Sequence, residues 1–275
     1  MDDFKFIKLE NLLRSYGKVV LAYSGGVDSS FLLYFTAKKL GNDKIVAVTA
    51  FSESRTRDEL EEAQKFSDKL KVKNIIIRSN EFQNLDFLRN SKERCYFCKK
   101  ELYSDIIKIA KESKIDIVLD GTNYSDISDY RPGSKAANEL NVKSPLFETR
   151  LTKEDIRAFL KFEGLDFYDK PANPCLATRI PYGKKITLEK IKTVLKCEEF
   201  LKNIGFEVVR VRHHGKIAKI EIDDKDYDKM MKKDIRKEIT DFFYSTGFFW
   251  VSVDLNPYKS GNMNRELSRD NRAKI

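Results

Sequence analysis

The sequence predicts an α/β protein: a parallel, doubly wound sheet followed by a smaller C-terminal α+β domain. Three observations carry this. Short apolar runs at Val19–Ala22, Lys44–Ala50, Asn74–Arg78 and Asp116–Asp120 alternate with helical patterns, as in a parallel sheet covered on both faces. Two prolines in Asp169-Lys170-Pro171-Ala172-Asn173-Pro174-Cys175 mark a hinge. Beyond them the pattern turns to a helix, an alternating hairpin, a basic helix and a last strand. The expected domains are residues 1–170 and 171–275.

Each element has a local reason. Phe4, Ile7, Leu9, Leu12 and Leu13 give residues 4–16 an amphipathic helical pattern. Val19-Val20-Leu21-Ala22 is a continuous apolar run and reads as a strand buried on both faces. A helix starts within a turn of it, with Phe31, Leu32, Leu33 and Phe35. Arg57–Leu70 is a charged helix, and a helix is expected from about Glu101 to Glu112. Tyr130-Arg131-Pro132-Gly133 is a loop before a helical stretch near Ser134–Leu140. Thr152-Lys153-Glu154-Asp155 opens a capped helix with Ile156, Phe159 and Leu160 on its apolar face. In the second half, Thr187–Leu201 is helical, Glu207–His213 and Ile217–Ile222 form the hairpin, Asp226–Phe243 is the basic helix, and Phe248–Val253 is the final strand. The tail after Tyr258 is polar and expected to be loose.

At 275 residues the chain can bury a large core. No apolar run approaches the roughly 20 residues needed to span a bilayer. The opening Met-Asp-Asp-Phe-Lys has no signal-peptide core, so the expectation is a cytoplasmic protein without membrane partners. The net charge is +9, but its 52 basic and 43 acidic residues are mostly interleaved, as in Lys219-Ile220-Glu221. Anionic small substrates suit that surface as well as RNA does.

The stretch with the strongest chemical content is Tyr23-Ser24-Gly25-Gly26-Val27-Asp28-Ser29-Ser30. Two glycines at a strand-to-helix turn let the backbone present its N–H groups to an anion, and the helix start adds a favourable dipole. The hydroxyls of Ser24, Ser29 and Ser30 can donate to phosphate oxygens. Asp28 would repel phosphate unless Mg2+ or an N-terminal amide intervenes. A plainer reading makes Asp28 and the serines ordinary caps for free amides. Ligands of such sheets sit at the carboxyl ends of the strands, which adds Ala50 and the turn Asp120-Gly121-Thr122-Asn123, with Asp120 and Asn123 facing the nucleotide. The turn also reads as no more than a turn.

Four cysteines in a reducing compartment are not expected to pair. Cys95 and Cys98 form a CxxC, Cys175 lies between prolines, and Cys197 reads as a small buried thiol within a helix. Three thiolates leave one coordination position open, which on an iron–sulfur cluster is one free iron. A zinc site completed by His213 or His214 competes with this. Lys170 and Arg179 are expected to lower the Cys175 thiol pKa.

The Ser24–Ser30 loop resembles the PP-loop of the ATP pyrophosphatases, and that likeness implies a HUP-like sheet and cleavage of ATP to AMP and pyrophosphate. Joined to Asp120–Asn123, Asp129-Tyr130-Arg131-Pro132-Gly133, Val209–His213 and Pro174-Cys175-Leu176-Ala177-Thr178-Arg179-Ile180-Pro181-Tyr182-Gly183, it looks like the LarE family over nearly the whole chain. Thr178 stands where that family often has Ser, and keeps the hydroxyl.

The LarE resemblance implies an ATP-dependent sulfur transferase of nickel-pincer nucleotide cofactor biosynthesis. Its substrate is pyridinium-3,5-biscarboxylic acid mononucleotide, a carboxylate of which is adenylylated and converted to thiocarboxylate for a lactate racemase cofactor. By that resemblance Ser24, Gly25, Gly26, Asp28, Ser29, Ser30, Ala50, Gly121 and Asn123 bind ATP and Mg2+. Cys175, Asp28 and Arg179 serve catalysis, and Thr178, Arg179, Glu198, Arg210 and Arg212 hold the substrate's anionic groups. Cys95, Cys98 and Cys175 correspond to three cysteines that hold a [4Fe-4S] cluster in one branch. In another branch the cysteine matching Cys175 gives up its own sulfur. Sulfide or another sulfur donor is then a partner, and a homo-oligomer with its active site between the domains is expected. The competing readings are a tRNA thiolase of the same superfamily and a nucleotide-binding regulator without catalysis.

Overall fold

The computed structural model describes residues 3–128, 132–171, 173–259 and 261–264. The tip of the Asp129–Gly133 loop and the chain from residue 265 on lie outside the described residues. By its internal contacts the chain separates into two compact units: 1–84 with 93–173, and 85–92 with 174–275.

The first unit opens with helix α1 (Asp3–Tyr16) and continues through β1 (Val19–Ala22), α2 (Val27–Leu40), β2 (Ile45–Phe51), α3 (Arg57–Lys69) and β3 (Asn74–Arg78). The short helix α4 (Leu85–Leu88) belongs to the second unit. The first resumes with α5 (Arg94–Glu112), β4 (Ile117–Leu119), α6 (Gly133–Glu139), α7 (Pro145–Glu148) and α8 (Lys153–Phe162). The four strands pair in parallel in the order β3-β2-β1-β4, so the predicted doubly wound sheet is what forms. Alternate residues of β1 enter two cores: Val19 and Leu21 face Phe31, Phe35 and Leu146, whereas Val20 packs with Tyr103, Ile106 and Val118. That two-sided burial explains the unbroken apolar run. Phe6 and Phe159 stack with ring centroids 4.9 Å apart in the first core. Thr56 with Glu59, and Thr152 with Asp155, close reciprocal capping boxes on α3 and α8. The order of the strands reverses between β1 and β4, so the turns following those two strands flank the switch point where such sheets bind ligands.

Four local expectations are corrected. The buried stripe of α1 is Phe6, Leu9 and Leu13, while Phe4 and Ile7 are exposed; the 3.6-residue period selects positions three and four apart. Helix α5 begins at Arg94 rather than near Glu101, because the residues between hold no glycine or proline to break it. The basic helix is two pieces, and the last strand starts at Trp250.

In the second unit α9 (Leu188–Asn203) precedes the antiparallel hairpin β5 (Val209–His214) and β6 (Ile217–Ile222). Helices α10 (Tyr227–Met230) and α11 (Lys233–Ser245) follow, parted where Lys232 takes an extended backbone. Strand β7 (Trp250–Val253) adds in parallel to β6. Leu201, Phe206, Val211, Ile220 and Phe243 make its core. Asn90, held at φ 56°, fastens Leu85–Lys92 here by donating to the carbonyls of Ile180, Pro181 and Lys184. Asn tolerates this left-handed conformation better than most residues.

Candidate functional site

In the first unit the backbone builds the site. Gly25 has φ 72°, and a Cβ there would approach the Ala63 Cβ to 3.1 Å. Gly26 is the N-cap of α2, and that position carries no side-chain cap bond. The serines bond to one another and to backbone instead. Ser29 Oγ donates to the Gly26 carbonyl at 3.1 Å, and Ser24 Oγ lies 3.0 Å from Ser29 Oγ. Ser30 Oγ lies 3.2 Å from the Tyr23 hydroxyl. Asp28 is in the first turn of α2. As the plainer reading has it, serine hydroxyls also satisfy amides of the turn: Gly26 N–H donates to Ser24 Oγ and Ser24 N–H to Ser29 Oγ, each at 3.3 Å. The N-cap itself is a glycine, and the start of a helix favours an anion.

The turn after β4 presses against this loop. A Cβ on Gly121 would come within 3.0 Å of Ser29 Cα and N, so only glycine lets the two segments approach this closely. Asn123 is fully buried, and its side-chain nitrogen and oxygen have no hydrogen-bond partner among the described residues. Asp120 departs from expectation. Its carboxylate accepts from the Tyr103 hydroxyl, the Thr122 hydroxyl and amide, and Ser144 Oγ, at 2.7–3.1 Å. It anchors the turn rather than facing a nucleotide. Burial, and then the Asp120 charge, push the Tyr103 hydroxyl well above its ordinary pKa. Ala50 sits near the carboxyl end of β2, paired with Ile77.

Two residues near these segments were missed from sequence. Arg55 donates to the Ser24 carbonyl at 3.0 Å, which brings an exposed guanidinium to the loop. Glu81 is a buried carboxylate that accepts from Ser52 Oγ at 2.7 Å, from Ser54 Oγ, and from the Cys98 thiol at 3.3 Å. Neither has a motif; only the buried serine pair beyond β2 hints at Glu81.

All four cysteines are thiols: Cys95 exposed, Cys98 and Cys175 half-buried, Cys197 buried. Burial pushes the Cys197 thiol up to about 11, which suits the inert role expected of it. Cys95 and Cys98 lie one turn apart at the start of α5, where the N-cap Glu93 makes no side-chain cap bond. Two thiols there are a donor set that suits a soft metal or an iron–sulfur cluster. Among the described residues, no group of three or more His, Cys, Asp or Glu side chains is gathered as a metal site. The His213 ring packs on Phe248 at 5.1 Å. A cavity of about 400 Å³ near the pair is lined by Asn80, Asn84, Phe97 and Glu101, among others, and by none of the residues singled out from sequence.

In the second unit side chains build the site. Cys175 caps the 3-10 turn Leu176–Arg179, its Sγ 3.4 Å from the Ala177 amide. Thr178 Oγ1 donates to the Cys175 carbonyl at 2.8 Å. Arg179 is fully buried and grips Glu198 with two hydrogen bonds of 2.8 and 3.0 Å. Its third nitrogen reaches the Pro174 carbonyl and Thr178 Oγ1. Burial opposes the Arg179 charge, and the Glu198 pairing outweighs it, so the net shift is upward. Glu198 also accepts from the Val211 amide. Arg212 joins the Thr178 carbonyl to Glu221 at 2.8 and 2.7 Å. Arg210 shares that face of β5, buried, with its guanidinium 4.9 Å from the Tyr258 ring centre. Burial, followed by the Arg179 charge, lowers the Arg210 pKa.

The structure thus gathers Thr178, Arg179, Glu198, Arg210 and Arg212 into one cluster, where three buried guanidiniums meet the carboxylates of Glu198 and Glu221. Lys170 is paired with Glu62. Arg179, though electrostatically coupled to Cys175, is paired with Glu198. No helix among the described residues is long and apolar enough to cross a membrane.

Residues 4–103 match the family model described as NAD synthase. A protein from Synechocystis whose function is uncharacterized is 38% identical, over 95% of this chain and 98% of its own length. The pyridinium-3,5-bisthiocarboxylic acid mononucleotide synthase of Lactiplantibacillus plantarum is 34% identical, over 94% of this chain and 92% of its own. One of the subunits of the glutamine-hydrolyzing GMP synthase of Methanocaldococcus jannaschii is 31% identical, over 59% of this chain and 56% of its own. With the loop, the parallel sheet and the likeness to the bisthiocarboxylate synthase along nearly its full length, the chain belongs to the LarE family of enzymes in the ATP-using PP-loop superfamily.

Proposed function

We propose that this enzyme converts a carboxylate of pyridinium-3,5-biscarboxylic acid mononucleotide to a thiocarboxylate at the expense of ATP. The observation that carries the reading is the start of α2 behind the Gly25–Gly26 turn, with glycine as its N-cap, in a chain so similar to the bisthiocarboxylate synthase. Amides of that turn and the hydroxyls of Ser24, Ser29 and Ser30 hold the pyrophosphate end of ATP. Arg55, bonded to the loop carbonyl, is available to the same phosphates. Gly121 and Asn123 line the nucleotide, and Asp28 would hold Mg2+, which offsets phosphate charge.

In the first step a substrate carboxylate oxygen attacks the α-phosphorus of ATP. The bond from that phosphorus to the bridging oxygen breaks, and pyrophosphate leaves. A sulfur nucleophile then adds to the activated carbonyl carbon and AMP departs with its electron pair. The arginine cluster binds the substrate's phosphate and free carboxylate, since guanidinium forks match both. Arg179 acts through position: its bonds to Pro174 and Thr178 fix the turn carrying Cys175.

The sulfur is assigned to Cys95, Cys98 and Cys175. Their thiolates would hold a [4Fe-4S] cluster, which supplies a terminal sulfide when bound. Direct donation by Cys175 is the second reading, favoured by the seat of that thiol on a turn braced by Arg179, in the unit that also holds the arginine cluster. Iron and acid-labile sulfide in anaerobically purified protein decide between them. About four irons per chain, lost in Cys95→Ala and Cys175→Ala, support the cluster; no iron, with loss of sulfur from Cys175 after turnover, supports donation. Cleavage of ATP to ADP and phosphate would overturn both.

A further inference from the structure

The start of α5 lies across the edge of the sheet where ligands bind. Cys98 and Lys99 are consecutive, and they reach opposite sides of that edge. The Cys98 thiol donates to Glu81, which follows β3 and is bonded to Ser52 and Ser54 after β2. The Lys99 ammonium stands 3.8 Å from Asp120, the residue that follows β4. In the order β3-β2-β1-β4, the strand between β2 and β4 is β1, whose carboxyl end carries the Ser24–Ser30 loop. Gly121, next after Asp120, already packs on that loop, since a Cβ there would come within 3.0 Å of the Ser29 backbone. The helix that opens with the cysteine pair therefore borders the loop and brings a cation to it.

Lys99 is a shaped cation rather than a loose surface lysine. A Cβ on Gly133 would meet its Cδ at 2.5 Å, so the stem lies directly over the first residue of α6, where glycine leaves room. The ammonium lies 5.5 Å from the centre of the Tyr103 ring, whose hydroxyl is tied to Asp120. Asp120 offsets the charge without using the donors. Their separation exceeds a hydrogen bond, and the two carboxylate oxygens already accept from Tyr103, from Ser144 and twice from Thr122. Among the described residues the Lys99 ammonium makes no hydrogen bond, and the side chain is 36% exposed. Three donors held at the ligand edge suit the oxygens of a phosphate.

We propose that Lys99 is a catalytic residue that binds the α-phosphate of ATP. The loop takes the pyrophosphate end from the β1 side of the switch point. Lys99 comes from the β4 side, toward the phosphate that remains. As the carboxylate oxygen bonds to the α-phosphorus, the bond to the bridging oxygen breaks and pyrophosphate leaves with that electron pair. The ammonium stabilises the nonbridging oxygens through this step and holds them in the adenylate that results. The proposal rests on the assignment of the Ser24–Ser30 loop to the pyrophosphate of ATP.

The test is equilibrium binding of AMP, ATP and adenosine to the full chain and to Lys99→Met and Lys99→Arg. AMP carries the α-phosphate alone, so its affinity should fall about tenfold in Lys99→Met, and that of ATP as much. Lys99→Arg should keep most of both, and adenosine should bind all three proteins alike. With pyridinium-3,5-biscarboxylic acid mononucleotide present, pyrophosphate release at saturating ATP should slow at least about tenfold in Lys99→Met. Unchanged AMP binding in Lys99→Met would overturn the proposal, whether or not ATP binding weakens. So would an equal loss of adenosine, the mark of a distorted site. Unchanged pyrophosphate release would overturn the catalytic role. No pyrophosphate from the unaltered chain would overturn the substrate assignment, and AMP binding then decides on Lys99 alone. If the unaltered chain bound ATP no more tightly than adenosine, the assignment of the loop would fall, and the proposal with it.

Discussion

The two units present groups suited to anions by different means. In the first, backbone makes the site: glycines at positions 25, 26 and 121, and a helix that starts on one of them. In the second, side chains make it: guanidiniums stand buried against Glu198 and Glu221. A backbone site costs little to keep empty, because water satisfies its amides. A buried charge cluster is stable only while every partner is present. The first should therefore fail in function before stability, and the second in both together.

The largest effect should come from breaking the Arg179–Glu198 pair. Glu198→Ala leaves a buried guanidinium without its carboxylate, and should destabilise the chain by about 3–5 kcal/mol in chemical denaturation. Removing both charges, as Arg179→Met with Glu198→Leu, should recover much of that. A loss below about 1 kcal/mol for Glu198→Ala would break the contrast, since it would make the pair no stronger than a surface one. Next comes Gly121→Ala. The added methyl meets the Ser29 backbone, so ATP affinity should fall at least about tenfold while stability drops by only about 1–3 kcal/mol. Isothermal titration and thermal melts read the two separately, and a fall in stability with unchanged affinity would contradict the account.

These two predictions also separate what the sequence discloses from what it hides. The Ser24–Ser30 loop and the strand before it were legible, because a left-handed glycine and a two-sided apolar run leave local marks. The face shared by Arg210 and Arg212 was legible for the same reason, from the two-residue period of a strand. The Arg179–Glu198 grip was not: it joins a proline-flanked turn to a helix nineteen residues on. Asp120 misled, because a carboxylate after a strand can face a ligand or tie its own turn, and Tyr103 and Ser144, which decide, are distant in sequence. Glu81 and Arg55 were invisible on the same ground. The Leu85–Lys92 excursion is held by the Asn90 side chain and by backbone bonds from Gly183 and Ile186, partners about ninety residues or more away.

Acid should sharpen the contrast further. Burial raises the Glu221 pKa, but the hydrogen bond and charge of Arg212, together with Lys219, outweigh it, and the net value lies below the ordinary 4.5. A depressed carboxylate contributes stability that is present above pH 4.5 and is lost as the pH falls through its folded value. Glu221→Gln should lower stability at neutral pH and flatten that acid-side slope in denaturation curves; an unchanged slope would count against the pairing. The smallest effect belongs to Cys197. With its thiol raised from 9.0 to about 11, its contribution is intact below pH 9 and is lost toward pH 11. Near neutral pH, mass spectrometry should find Cys95 alkylated at least about tenfold faster than Cys197. Equal rates would contradict its burial.

The central claim is that ATP is cleaved to activate a carboxylate that then takes up sulfur. The most direct measurement follows AMP, pyrophosphate and thiocarboxylate together, with pyridinium-3,5-biscarboxylic acid mononucleotide added or withheld. The account predicts that AMP and pyrophosphate form in equal amounts only when the nucleotide is present, and that one oxygen of its carboxylate is replaced by sulfur. AMP and pyrophosphate formed at the same rate without the nucleotide, or ATP cleaved only to ADP and phosphate, would contradict it.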